Sequence, residues 1–434
     1  MENKPVFSPE LQKEIKSKFY YVDEDPFGKK RLFFENSGGS LRLKACVEAK
    51  AKYEMIPDCP MRYHDVSQKL HEVKANGIRD LMEVIFGAAP GEGALVTELT
   101  PSRTTFSIMR AIVENVPGKN VVTTSLEHPS AYDSLKIYAE KRGMEFRVAQ
   151  ANPKTGGVDV DDILSLVDKD TCVLSVMSAS NISGYVFPMK ELITRARAIK
   201  PDLYVVSDAV QHQPHQALYA HDLGIDALVI APYKAFGIRG CGYGYVSDRA
   251  AVLPHDKLEG KEPKEWELGT YPHGNFAAMS AMVDYVCWLG RHFTQAEDRR
   301  TQYVVGMQKA HEQETSLLIR MLEGSAEVPG LRHIPGVEVY FDGPVSPERD
   351  LVVAMGIKGM DYTALREEYG RRGGLVFERI NTSIYSKRIV ESLGQTGLIR
   401  VSPIHCHDFG DIDQYLKVTA AIAAEFAQNK RRIP

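Results

Sequence analysis

The chain has no long apolar run, no closely spaced cysteine pair and no large surplus of either charge, and each absence removes a class of function. No stretch of about eighteen consecutive apolar residues occurs, the shortest that reads as a membrane-crossing helix, so no membrane partner is expected. The opening residues Met1-Glu2-Asn3-Lys4-Pro5 lack the apolar core of a secretion signal, and a cytoplasmic location is expected. A formal net charge of −4 over 434 residues offers no basic footprint, and no nucleic-acid partner is expected. Cys46, Cys59, Cys172, Cys241, Cys287 and Cys406 are scattered without a CxxC spacing, which suggests neither a zinc site nor a disulfide framework. Most are expected to be reduced and buried, and no metal site is expected. Repeats, low-complexity tracts and disordered linkers are missing as well.

What is present is ordinary globular material, with 44% hydrophobic and 25% charged residues and ample bulk for a large core. Between about residues 85 and 250, apolar strand-like runs alternate with amphipathic helical stretches. Strands are expected at Ala94 to Thr97, Asn120 to Thr124, Thr171 to Val176, Leu203 to Ser207 and Ala227 to Ile230. Helices are expected at Thr104 to Val116, Ser130 to Arg142 and Met189 to Ile199. Such alternation implies an α/β fold with a mostly parallel sheet covered by helices. After residue 290 the texture changes to a charged helix from His292 to Leu322 and short strands near 337–341 and 351–355. A helix from Tyr362, a segment at Gly374 to Phe377 and a closing helix from Ile412 to Gln428 follow, together a small α+β unit. The expected division is an N-terminal segment 1–30, a large domain 31–290 and a small domain 291–434, with N-terminal residues contributing to the small domain or the site mouth. The charges of Gln295 to Arg300 read as a solvated helix face.

Ligands of parallel sheets sit at the carboxyl ends of strands, which gives each post-strand loop a meaning. One apolar strand ends in Ser207-Asp208-Ala209-Val210-Gln211 and the next leads into Ala231-Pro232-Tyr233-Lys234. An acid and a lysine at neighbouring strand ends suit pyridoxal 5′-phosphate (PLP): its aldehyde condenses with a lysine amine, and its ring nitrogen needs a carboxylate to stay protonated. Thr100, Pro101 and Ser102 begin a helix whose N-terminus suits a phosphate, although capping is the commoner use of such hydroxyls. His128 either stacks on a planar ring or simply begins the helix after it, and Asn181 either donates to a ring hydroxyl or shapes a turn. Asn36, in Glu35-Asn36-Ser37-Gly38-Gly39-Ser40, lies in a small-residue segment where backbone can approach a substrate. Pro60-Met61-Arg62-Tyr63-His64 is a candidate source of substrate-selective side chains.

The order of these elements, from Glu127-His128 through Ser180-Asn181-Ile182-Ser183-Gly184 and Asp208-Ala209-Val210-Gln211 to Lys234, resembles the class V aminotransferase group of fold-type I PLP enzymes, which includes cysteine desulfurases and selenocysteine lyases. Downstream, Gly269-Thr270 and the Arg400 segment resemble that family's phosphate-reaching turn and carboxylate-binding arginine. The resemblance spans about residues 30 to 425, nearly the whole chain. It implies that Lys234 carries the cofactor and moves protons, Asp208 faces the pyridinium nitrogen, and His128 stacks above the ring. It further implies that Asn181 and Gln211 bond the ring oxygen, and that Thr100 and Ser102 take the phosphate with Thr270 reaching in from the second subunit of a homodimer with shared active sites. Arg400 would clamp the carboxylate of a small amino-acid substrate.

Two departures stand out. The family's Ser-Gly-His before the lysine is Ala231-Pro232-Tyr233 here, so Ala231 offers phosphate nothing and Tyr233 is left to take part of that task. The stretch Asn381 to Arg388, where the family's lyases carry a persulfide-bearing cysteine, holds none, and Cys406 comes six residues after Arg400. His405 and His407 around Cys406 make no recognised zinc spacing. The expectation is a desulfurase-like carbon–sulfur (β-elimination) lyase without a relay cysteine; the alternatives are an aminotransferase, an epimerase, or a non-catalytic protein of the same fold.

Overall fold

The computed structural model describes residues 4–57, 65–346 and 348–432. Its centre is a seven-stranded sheet of β1 (Ala94–Glu98), β2 (Asn120–Thr124), β3 (Glu145–Ala149), β4 (Thr171–Ser175), β5 (Tyr204–Asp208), β6 (Ala227–Ile230) and β7 (Gly242–Val246), in the order β1-β7-β6-β5-β4-β2-β3. β2 to β6 run parallel with β3, and β7 is antiparallel to both β1 and β6. Every residue of β2, β4, β6 and β7 is buried, which is why these strands read as continuous apolar or small-residue runs and not as alternations. Mostly parallel, helix-covered α/β architecture is therefore what the alternating pattern implied.

Two helices that start at strand ends shape the ligand side. α1 (Pro101–Asn115) has Thr100 as N-cap, accepting from the Arg103 N–H at 3.2 Å, and Pro101 at its first position, where a missing N–H costs nothing. α2 (Pro129–Lys141) is capped by His128, whose Nδ1 accepts from the Ser130 N–H at 3.2 Å. The start of α1 is pressed onto β7 at a glycine: a Cβ on Gly242 would come within 2.3 Å of the Pro101 nitrogen and 2.5 Å of the Thr100 carbonyl carbon. Gly244 makes the same allowance for Thr104 and Ile108.

A second sheet of β8 (Val337–Tyr340), β9 (Val353–Ile357), β10 (Phe377–Ile380) and β11 (Gly397–Val401) is antiparallel in the order β10-β11-β9-β8. Its own core joins Leu351, Val353, Ile399 and Tyr415 with Leu32 and Phe34 from near the N-terminus, where Leu32–Phe33 pairs in parallel with Gly374–Leu375. The helix Arg299–Glu323 links the two cores, with Tyr303 and Met307 in the first and Leu317, Leu318 and Met321 in the second.

The single charged helix expected from His292 to Leu322 is instead a non-helical segment at 292–298, which follows the helix His273–Arg291, and then the helix Arg299–Glu323. The charges at 295–300 are correspondingly not carried on one helix face, although Glu297, Asp298 and Arg299 are exposed. Asp298 caps the second helix, Arg299 reaches Asp80 at 3.1 Å and Asp284 at 2.8 Å, and Arg300 donates to the carbonyls of Val84 and Leu218 at 2.7 and 2.5 Å. Arginines satisfying distant carbonyls look, in sequence, like arginines facing water. Pro60 to His64 lie outside the described residues. No helix among the described residues is long and apolar enough to cross a membrane.

Candidate active site

The carboxyl ends of β2, β4, β5 and β6 converge on one cleft. Pro101, Ser102 and Thr105 form one wall, His128 and Ser130 a second, and Asn181, Asp208, Gln211, Tyr233 and Lys234 the floor and remaining side. Lys234 leaves β6 through the short 3-10 turn Pro232–Lys234 and is buried. Burial, reinforced by the Arg400 charge and only partly offset by Asp208, lowers its amine to about 8. Near neutrality a useful fraction is therefore the unprotonated nucleophile, which an ordinary lysine does not supply. Asp208, the last residue of β5, is raised by the same desolvation but held back by the Val210 N–H it accepts at 3.0 Å and by the charge of Lys234.

His128 stays uncharged. Burial, with Lys234, Arg379 and Arg388 nearby, lowers it to about 3. Its Nδ1 accepts from the Ser130 backbone and lies 2.6 Å from the Ser130 hydroxyl, so the ring proton sits on Nε2. Immediately before it, Glu127 is fully buried and raised to about 8, chiefly by burial; its Oε1 accepts from Thr124 at 2.8 Å and from the Met177 N–H at 3.0 Å.

Two amide oxygens at this cleft, Asn181 Oδ1 and Gln211 Oε1, are buried without a hydrogen-bond partner. Orphaned acceptors of that kind are rare in a folded interior and mark where a polar ligand belongs. The Tyr233 ring lies against the Arg239 guanidinium, 4.2 Å to the ring centroid, and its backbone carbonyl accepts from the Ser40 N–H at 3.0 Å and from Arg42.

Arg400, on β11, is 2% exposed and donates from Nη1 to the Asn181 carbonyl at 3.0 Å. Its Nη2 is ion-paired with Glu35, while its Nε has no partner. Glu35 carries no signal of its own in the sequence, since a lone acid before Asn36 looks solvated. Arg379 was missed too, although an arginine in the strand that pairs with β11 could have been read as facing the same side as Arg400; its charge reaches both Lys234 and His128. Arg388 completes the set by donating to the carbonyls of Ser125 and Glu127 and stacking on Tyr132 at 3.7 Å.

Besides Arg400, three expected residues do not line the cleft within a single chain, Thr270 among them, which is expected to reach the site of a second subunit. Asn36 directs Nδ2 to the carbonyls of Phe33 and Ser402 and its oxygen to the Leu41 N–H, so its amide holds the loop together. Thr100 lends its hydroxyl to the α1 cap. Thr270 is exposed and lines a separate surface pocket with Tyr53, Ile56, Pro57 and Tyr271. The described cysteines, Cys46, Cys172, Cys241, Cys287 and Cys406, are all buried, and none lines the cleft. Burial pushes the thiols of Cys172, Cys241 and Cys287 up to about 11 and Cys46 and Cys406 higher. Cys59 lies outside the described residues.

A lysine and a carboxylate at adjacent strand ends, a helix N-terminus and two open amides define the pyridoxal phosphate-dependent, fold-type I class. The sequence profile described as Aminotransferase class-V matches residues 32–316, and the chain belongs to that family. It is a PLP-dependent enzyme. Among similar proteins, a cysteine desulfurase of Pectobacterium carotovorum is 24% identical over 342 residues, covering 73% of this chain and 78% of that one. A selenocysteine lyase of Bos taurus is 31% identical over 128 residues, 28% of this chain and 29% of that one. The fold of a cysteine desulfurase from Thermococcus onnurineus superposes with a TM-score of 0.76 at 20% identity, over 95% of this chain and 98% of that one.

Proposed function

We propose that this protein is a carbon–sulfur lyase acting on a small amino acid, working by proton abstraction at Cα and departure of a sulfur leaving group from Cβ, without a persulfide-carrying cysteine. One observation carries the reading: Lys234 and Asp208 share a cleft to which none of the described cysteines contributes. The kinship with cysteine desulfurases and a selenocysteine lyase supports the leaving-group chemistry. When bound, PLP supplies an electron sink for the charge released at the substrate Cα.

The residues divide the remaining work. Lys234 would hold the cofactor, and its amine, lowered to about 8 by burial, would accept the Cα proton of a bound substrate. Asp208 would present its carboxylate to the ring nitrogen; burial raises its pKa, with the Val210 N–H and Lys234 holding it back. His128 offers an uncharged flat face with a proton on Nε2, so it adds no positive charge beside the lysine. The start of α1, with Ser102 and Thr105, would receive the phosphate, and Tyr233 stands at the position of the family's histidine. Arg400 binds the substrate carboxylate, and Glu35 occupies that guanidinium until substrate displaces it.

The products decide the reaction. Protein loaded with PLP should release keto acid and ammonia, with sulfide or a thiol, from a thiol- or thioether-bearing amino acid. Stoichiometric pyridoxamine phosphate in place of those products would assign transamination and overturn the lyase reading.

A further inference from the structure

Behind the cleft runs a chain of buried polar groups that the proposed reaction does not use. Gln211 stands between the cleft and His215, with its Nε2 3.4 Å from His215 Nε2 and 3.2 Å from Ser37 Oγ. His215 Nδ1 is 2.7 Å from Glu314 Oε2. Glu314 Oε1 accepts the His405 backbone N–H at 3.1 Å, and His405 Nε2 meets the Tyr285 hydroxyl at 2.7 Å. All of these residues are buried.

The neighbours settle where the protons are. A carboxylate only accepts, so His215 Nδ1 carries a proton. Two charges face the ring: Glu314 from the helix Arg299–Glu323, and Asp350 from the loop before β9, which is itself bonded by His212 at 2.9 Å and Gln216 at 3.1 Å. Burial works against a charged imidazole, but these carboxylates outweigh it and raise His215 to about 9. Burial opposes the Glu314 charge as well, and His215 nevertheless holds Glu314 at about 2. His215 is therefore an imidazolium near neutrality, and Nε2 carries a proton too.

That second proton needs an acceptor, and an amide nitrogen is not one. Gln211 Nε2 faces His215 Nε2, nitrogen against nitrogen, while its own Oε1 is buried without a partner. A half-turn of the amide, whose two ends are nearly the same size, removes both faults at once. The oxygen then accepts from His215 and Ser37, and the NH2 takes the place of the orphaned oxygen.

We propose that the His215–Glu314 pair is a positioning unit for Gln211: His215 donates from Nε2 to the amide oxygen, which turns the amide NH2 toward the cleft as a donor to the ring oxygen of the cofactor. This rests on the PLP reading of the site. Asp208 and Lys234 make the cleft a PLP site; the buried pair decides whether Gln211 meets that ligand as donor or acceptor.

Glu314→Gln tests it, because the amide still accepts from His215 Nδ1 while the stronger of the two charges that retain the second proton is gone. Neutral His215 then accepts from Gln211, and the cofactor faces the amide oxygen. The Kd for PLP, read by quenching of intrinsic fluorescence, should rise about tenfold, the scale of a lost hydrogen bond. The pH midpoint of the visible band should move upward, because a ring oxygen without its donor is more basic. In a Gln211→Ala background, Glu314→Gln should change neither quantity further, which a merely structural role would not produce. An unchanged Kd and midpoint in Glu314→Gln, or a full effect in the Gln211→Ala background, overturns the inference. Should Glu314→Gln not fold, nitrogen NMR of the unaltered, histidine-labelled protein decides. One ring must remain doubly protonated well above the ordinary histidine range, and its absence overturns the proposal. Unaltered protein that gives no visible band with PLP overturns the cofactor reading, whereas a band in that protein beside an unaffected Glu314→Gln overturns this inference alone.

Discussion

Replacing Glu35 by glutamine should loosen the substrate-free protein and tighten its grip on substrate. In the structure the Glu35 carboxylate occupies Nη2 of Arg400, whose side chain is 2% exposed against 15% for Glu35. Glu35→Gln preserves shape and removes the charge. It leaves a buried guanidinium with the neutral Asn181 carbonyl and a glutamine for company, and breaking a buried pair from one side costs about 3–5 kcal/mol. Because the glutamine oxygen still accepts a hydrogen bond, the lower end of that range is expected, visible as a lower denaturation midpoint without a change of slope. A substrate carboxylate no longer has to displace an anion, which favours binding by about 1–2 kcal/mol, or roughly a 5–30-fold fall in KM. The assay pairs chemical denaturation, with and without a saturating amino acid, with steady-state kinetics: substrate should restore much of the lost stability in Glu35→Gln and little in the unaltered protein. Equal KM and equal denaturation midpoints in both proteins would show that Glu35 does not hold the carboxylate position.

Other consequences are equally direct. PLP capture by cofactor-free protein needs the unprotonated Lys234 amine, so its rate should climb as pH rises through about 8 and level off above, as followed by growth of the visible band; a midpoint near the ordinary lysine value would refute the desolvated site. The same depressed pKa means the folded chain binds fewer protons than the unfolded one between about 8 and 10.5, so this group makes stability increase with pH across that window and contributes no slope below it. Arg400→Ala should raise KM and lower kcat/KM by about 1.5–3 kcal/mol, the scale of a charge-assisted hydrogen bond, and an unchanged kcat/KM would remove it from the site. Gly242→Ala drives a Cβ to within 2.3 Å of the Pro101 nitrogen, so it should cost about 1–3 kcal/mol of stability and weaken PLP binding by moving the start of α1, both measurable by thermal melting with and without PLP.

Several pieces of the architecture are legible from residue order alone. The strands at Asn120–Thr124 and Ala227–Ile230 and the helix Met189–Ile199 stand where apolar runs and amphipathic spacing put them, because strands buried on both faces need uninterrupted apolar side chains. β7 was not legible: Gly242-Tyr243-Gly244-Tyr245 looks like a flexible turn, yet its glycines are what let α1 lie on the sheet. The break at 292–298 was hidden for a related reason, since Arg300, just after it, is anchored by carbonyls more than eighty residues away along the chain.

The sequence by itself determined the α/β layering, the class of cofactor and the Asp208–Lys234 pair, since those depend on local periodicity and on which residue ends each strand. Tertiary structure alone decided the electrical state of the site. Burial of Lys234, the Glu35 cap on Arg400, the uncharged His128 and the His215–Glu314 pair behind Gln211 all arise from groups far apart in the chain brought into a space that excludes water, where charges act on one another at a strength no linear pattern records.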